Sequence, residues 1–203
     1  MRKTVSKILN LLIAVLALWA WISMTFRLGR HGSLSAGGFQ NLKYFTVLST
    51  LSQAVVSLFY LAGLKPRRFK YASTVAVALT FFVVLLFLGP VYGFETMYVG
   101  ANFWFHLVVP VLSMLDFLIL DREGTFSLRD SMFAVIPMVA YGLFYVGNLI
   151  INGVKGNDWY GFAGGGPASA ALAFLVILLA NWVIALLLRL PRRERPALPR
   201  RCA

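Results

Sequence analysis

The chain has few of the residues from which metal, redox and soluble catalytic sites are built. Among 203 residues there are one cysteine, two histidines and seven acidic side chains. The lone Cys202, second from the end, excludes an internal disulfide framework and a thiolate metal site and is read as incidental. His31 and His106 are too few for a histidine-rich zinc site or an intramembrane bis-histidine haem. Walker and dinucleotide glycine motifs are absent, as is the Gly-x-Ser-x-Gly elbow of soluble hydrolases. No cofactor and no metal is expected. The chain also has no linker, low-complexity stretch or internal repeat, so a single domain over 1–203 is expected.

What it has is apolar mass. Sixty per cent of the residues are hydrophobic and 13% are charged, the composition of an integral membrane protein. Six apolar stretches, about 8–26, 41–64, 71–90, 100–120, 131–152 and 167–190, each reach the roughly 20 residues that a helix needs to cross about 30 Å of hydrocarbon. The runs are continuous rather than alternating, which excludes an outer-membrane barrel. The sequence therefore predicts an all-α polytopic bundle of six transmembrane helices. The basic, apolar start resembles a secretion signal, but its run is too long, carries Trp19 and Trp21 and lacks a small-residue cleavage pattern, so it is read as the first span.

The net charge is +12, and its distribution sets the topology. Arg2, Lys3 and Lys7 precede the first span, while Lys65, Arg67, Arg68 and Lys70 fill the second-to-third turn. Arg122 and Arg129 lie between spans four and five, and Arg189, Arg192, Arg193, Arg195, Arg200 and Arg201 crowd the carboxyl end. Only Arg27, Arg30, Lys43 and Lys155 fall on the opposite side. Short basic loops stay cytoplasmic, so both termini are expected inside a bacterial cytoplasmic membrane. Cations clustered beside spans, with no soluble domain to present them, point to anionic lipid headgroups rather than nucleic acid. Nothing in the sequence sets an oligomeric state.

Two outer loops are glycine-rich, 29–40 and 153–167, and are read as connectors. Trp104, Trp159, Tyr92, Tyr98 and Tyr160 fall where an interfacial aromatic belt would lie and need no catalytic role.

Lipid penalises polar residues inside spans unless they face a partner or water. In the second span Thr46, Thr50, Gln53 and Ser57 share one helical face; in the fourth, Asn102, His106, Ser113 and Asp116 form a comparable stripe interrupted by Pro110. Thr50, Gln53, Ser57 and Ser113 are read as groups that associate helices by hydrogen bonds. Thr46 and His106 differ in depth: with helices starting near 41 and 100 they lie about 7.5 and 9 Å inside their outer ends. A hydroxyl and an imidazole at one level on inward faces form a candidate nucleophile and general base. Asp116, about 15 Å deeper than His106, is too far to complete a triad. If a side chain orients His106, then Asn102, Asn148 and Glu95 are better placed; Asn102 is also a candidate oxyanion donor. Lys43, one turn above Thr46, is placed to hold a carboxylate or lipid phosphate, or simply to snorkel to the headgroups.

The segment NLKYFTVLSTLSQ, with Thr46 inside KYFT, is similar to the Lys-Tyr-Leu-Thr segment of the androgen-induced transmembrane threonine hydrolases. ANFWFHLVVPVLSMLDFLILD resembles the histidine span of that family. Span number and order most resemble the bacterial six-span branch. The resemblance implies an intramembrane hydrolase that cleaves fatty acid esters of hydroxy fatty acids, with the threonine and histidine roles on Thr46 and His106. The chain is more compact than the animal members, which leaves the identity of the ester open. The expected partners are thus a lipid or fatty acid ester substrate and membrane lipids. From a different class, the two polar stripes also fit a small transporter, channel or lipid-binding scaffold, with Pro90, Pro110 and Pro137 breaking helices around a pathway, or a structural subunit whose polar faces only pack.

Overall fold

A computed structural model describes residues 2–28, 37–121 and 123–192. Arg30, His31 and most of the first glycine-rich loop lie outside the described residues, as do Arg122, Arg193, Arg195, Arg200, Arg201 and Cys202. The described chain is all-α, with no strand among the described residues. Its main helices are α1 (Arg2–Thr25), α2 (Phe45–Leu61), α3 (Arg67–Tyr92), α4 (Ala101–Leu120), α5 (Leu128–Asn152) and α6 (Pro167–Arg192). Five of them, all but α2, are long and apolar enough to cross a membrane. The result is an α-helical membrane bundle.

Helix α3 is the axis of the bundle. Every residue from Lys70 to Thr80 is buried, which happens only to a helix surrounded by others. Alanine and serine at positions 72, 73, 76 and 78 let α2, α4, α5 and α6 approach it, the small-residue packing that bundles in lipid use. α1 packs on α2 and α4, and α5 on α6, so α3 separates two groups of helices. The larger core gathers Tyr71, Phe117, Phe126, Tyr141, Tyr145 and Phe174. Elsewhere leucine, isoleucine, valine and phenylalanine cover the outer surface.

The 41–64 stretch is not one helix. Gly38–Lys43 forms a 3-10 turn, Tyr44 is extended (φ −86°, ψ 130°) and α2 begins at Phe45. The break is fixed from the side: Tyr160 Oη accepts from Phe45 N at 2.8 Å, and the Tyr141 hydroxyl donates to the Lys43 carbonyl at 2.5 Å. Thr46 is therefore the second residue of its helix rather than the sixth.

Prolines shape two other spans. Val84–Leu88 and Trp104–Val108 are π-helical turns ending shortly before Pro90 and Pro110. A proline has no N–H for the carbonyl four residues back and its ring clashes there; a widened turn relieves both.

The end of the bundle that holds the α2–α3 turn carries a buried charge cluster where the sequence predicts juxtamembrane cations facing lipid headgroups. Lys70 is 1% exposed and Asp116 0%. Lys70 Nζ bonds Asp116 at 2.5 Å and Asp121 at 3.0 Å, and stands 3.9 Å above the Tyr60 ring. Asp116 also accepts from Ser6 Oγ at 2.6 Å and Asn10 Nδ2 at 2.8 Å. Arg192 is likewise buried, its guanidinium 4.5 and 4.7 Å from the Phe117 and Phe126 rings, donating to the Phe117 and Glu123 carbonyls. Two of the cations counted for lipid contact thus tie α1, α3, α4 and α6 together.

Candidate functional site

The two singled-out residues sit on neighbouring elements. Val47 of α2 packs in one cluster with Ala101 and Phe105 of α4, so Thr46 and His106 each adjoin a member of the same contact. Both polar stripes are inward: Thr50, Gln53, Ser57 and Ser113 are fully buried, and Asn102 and His106 nearly so. Thr46 is half-buried.

His106 lies in the π-turn Trp104–Val108, four residues before Pro110. Its Nδ1 is 2.8 Å from the Met97 carbonyl oxygen. A carbonyl only accepts, so Nδ1 carries the hydrogen and Nε2 keeps its lone pair, the tautomer a general base needs. Met97 reaches this position because Gly93 (φ 86°) and Gly100 (φ 58°), in a backbone region that glycine tolerates, fold the α3–α4 connection back over α4. A backbone carbonyl thus orients the imidazole, and none of the three expected side chains does. Glu95 is exposed; Asn148 Oδ1 accepts from Asn152 at 2.8 Å; Asn102 Nδ2 is buried without a hydrogen-bond partner among the described residues.

Thr46 lines a mostly apolar, partly open cavity of about 630 Å³ between α2, α3, α5, α6 and the 153–166 loop. Thr80, Tyr92, Tyr141, Tyr160 and Ser169 are other hydroxyl-bearing residues on its wall; the rest is mostly Leu, Val, Phe and Ala. His106 is not among the lining residues, and no hydrogen bond joins it to Thr46 among the described residues. The Ser169 hydroxyl is already engaged with Gly165 N and the Phe162 and Gly166 carbonyls. Burial, then the neighbouring Tyr141, pushes the Tyr160 hydroxyl well above its ordinary value, so it stays protonated. Thr46 thus stands on the wall of an acyl-sized, mostly apolar cavity, beside its few hydroxyls.

The aromatic residues read as an interfacial belt position this site. Trp159 Nε1 donates to Tyr141 Oη at 3.1 Å, and the Tyr141 and Tyr160 hydroxyls are 3.2 Å apart. Through Lys43 O and Phe45 N this cluster sets the start of α2 and so the place of Thr46. Lys43 Nζ lies 5.5 Å from the Tyr44 ring centroid and 5.6 Å from that of Trp159.

The loop that supplies Trp159 and Tyr160 is pinned by Asp158, which accepts from Phe162 N at 3.0 Å, Ala163 N at 2.8 Å and the Tyr145 hydroxyl. Burial raises its carboxyl, but these hydrogen bonds outweigh it and hold the group below the ordinary carboxylate value. A depressed folded value means that the stabilisation is present above the unfolded value of about 3.9 and is lost as pH falls through the folded one. Hydrogen-exchange protection of the Phe162 and Ala163 amides is expected to fall on acidification below about pH 4, and at neutral pH in Asp158→Asn. Unchanged protection down to pH 3 would contradict this role.

The chain matches no protein-family model, no curated protein and no solved structure.

Proposed function

We propose that the protein is an intramembrane lipid-ester hydrolase with Thr46 as nucleophile and His106 as general base. The observation that carries the reading is the placement of Thr46 on the wall of an acyl-sized apolar cavity, on a helix that neighbours the π-turn whose histidine leaves its Nε2 lone pair free. In this reading all six helices cross the membrane with both termini cytoplasmic, in a bacterial inner membrane. The 17-residue α2 rises about 25 Å, and the preceding 3-10 turn supplies the remaining depth.

The chemistry balances as follows. Thr46 Oγ1 attacks the ester carbonyl while Nε2 of His106 takes its proton. The ester C–O bond breaks, the leaving alcohol takes that proton, and an acyl-threonine remains. Water, deprotonated by the same nitrogen, then releases the acid and restores Thr46. Asn102 Nδ2, buried and unpaired, is the candidate donor to the oxyanion. A base acts at about 2.6–3.2 Å, and catalytic hydrogen bonds often tighten only in the substrate complex. A fatty acid ester of a hydroxy fatty acid is the substrate class that the sequence resemblance suggests.

The absence of a Thr46–His106 hydrogen bond among the described residues favours a second reading, a lipid-binding scaffold or transporter that uses the same cavity without cleaving its cargo. Fatty acid release from a panel of lipid esters, by protein in lipid nanodiscs, separates the two. Hydrolysis should vanish in Thr46→Ala and survive in part in Thr46→Ser. Lipid binding or transport that persists in Thr46→Ala, with no ester cleavage by the wild type, would replace the hydrolase with the carrier.

A further inference from the structure

A second cavity, of about 840 Å³, lies on the other side of Phe45 and Tyr141 from the Thr46 cavity, which shares those two residues as a wall. It is a lateral groove: α3 forms its floor, α2 one bank and α5 the other. From Phe45 to Val56 it follows α2 for 11 residues, about 16 Å at 1.5 Å per residue, close to one leaflet's share of a 30 Å hydrocarbon core. Room comes from small side chains, Ala72 and Ala76 on the floor and Ala140 on the bank.

Two features specify the occupant. The first is that the groove's serines commit their hydroxyl hydrogens within the protein and so offer an anion no donor. Ser49 Oγ donates to Thr46 O at 3.0 Å, Ser52 Oγ to Ser49 O at 2.8 Å and Ser73 Oγ to Gln53 Oε1 at 2.7 Å. With those hydrogens committed, the groove is mostly apolar below Gln40 and Lys43.

The second is charge. Lys43, at one end, is the only ionisable cation or anion among the lining residues. No carboxylate lies within ion-pair distance of it among the described residues. The rings of Tyr44 and Trp159 flank its ammonium, and the Tyr141 bond to its carbonyl fixes its backbone. An ammonium with no carboxylate partner among the described residues, at the end of a mostly apolar groove, is complementary to an anionic head on a single hydrocarbon chain.

We propose that this groove is a binding site for an anionic single-chain amphiphile, with the carboxylate or phosphate on Lys43 and the chain lying between α2 and α5 over α3. The site does not depend on hydrolysis at Thr46, which faces the other cavity.

Trp159, 5.6 Å from the Lys43 ammonium, supplies the reporter. The test uses the full chain in neutral phosphatidylcholine nanodiscs and reads quenching of tryptophan fluorescence by three brominated single-chain probes: a fatty carboxylate, a lysophosphatidate and an uncharged monoacylglycerol. Quenching that Trp159→Phe removes reports this site. The charged probes should half-quench at roughly ten-fold lower concentration than the monoacylglycerol, the scale of a charge-assisted contact. Lys43→Gln should erase that difference, Lys43→Arg should keep it, and Thr46→Ala should leave it unchanged. If one charged probe alone shows the advantage, the head is thereby identified as carboxylate or phosphate. Ala140→Phe, at an exposed position on the bank, should abolish the site-specific quenching by all three. Equal half-points for charged and uncharged probes, or no response to Lys43→Gln or Ala140→Phe, would overturn the proposal and leave only partition into the bilayer.

Discussion

Lys70→Met is expected to destabilise the folded bundle by about 3–5 kcal/mol, the usual cost of removing one member of a buried ion pair. The substitution leaves Asp116 fully buried, with Ser6 and Asn10 as its remaining donors and no other cation in ion-pair contact with it among the described residues. Asp121, also held by Lys70, would lose its ion pair as well. The large effect comes from the stranded charge rather than from the value of the intact pair, because desolvation offsets much of the attraction between two buried ions. The double variant Lys70→Met/Asp116→Leu should therefore recover a large part of the loss. Reversible unfolding in detergent micelles measures both. A loss below about 1 kcal/mol for the single variant, the scale of a solvent-exposed pair, would mean that water reaches Asp116 and that the cluster is not the clamp described above.

His106→Ala is the second large effect. On the hydrolase reading it removes the proton acceptor and should lower turnover by about 10²–10⁴-fold, the usual contribution of a positioned general base. Thermal stability should change much less than in Lys70→Met, because the His106 side chain makes one hydrogen bond among the described residues, to the Met97 carbonyl. His106→Gln offers a sterically closer replacement that can still donate to Met97 O and cannot take a proton at neutral pH. Its turnover should match that of His106→Ala. Recovery of activity in His106→Gln would assign the histidine a packing role instead.

The all-α class was legible because continuous apolar runs of membrane length admit few other structures, and five of the helices reach that length. The inward direction of the polar stripes was legible for the same reason: period 3.6 places Thr50, Gln53 and Ser57 on one face, and lipid forces that face inward. Three things were not. The start of α2 is set by hydroxyls of Tyr141 and Tyr160, which lie about 100 residues away in sequence, and no local pattern encodes such a contact. Lys70 sits in a run of cations that reads as a cytoplasmic turn, and only the approach of Asp116 and Asp121 on another helix turns it into a buried bridge. The orienting partner of His106 is a backbone carbonyl, and side-chain identity carries no signal for that. The π-turn around His106, by contrast, had a visible cause in Pro110, four residues on.

The most direct test of the central claim is covalent. Purified protein in nanodiscs is treated with a lipophilic fluorophosphonate, digested and mapped by mass spectrometry. An activated threonine predicts a single adduct on Thr46, lost in His106→Ala although Thr46 is still present. A folded wild-type protein that carries no adduct, or one whose label falls on another hydroxyl such as Ser169 or Thr80, would contradict the assignment of Thr46 as nucleophile.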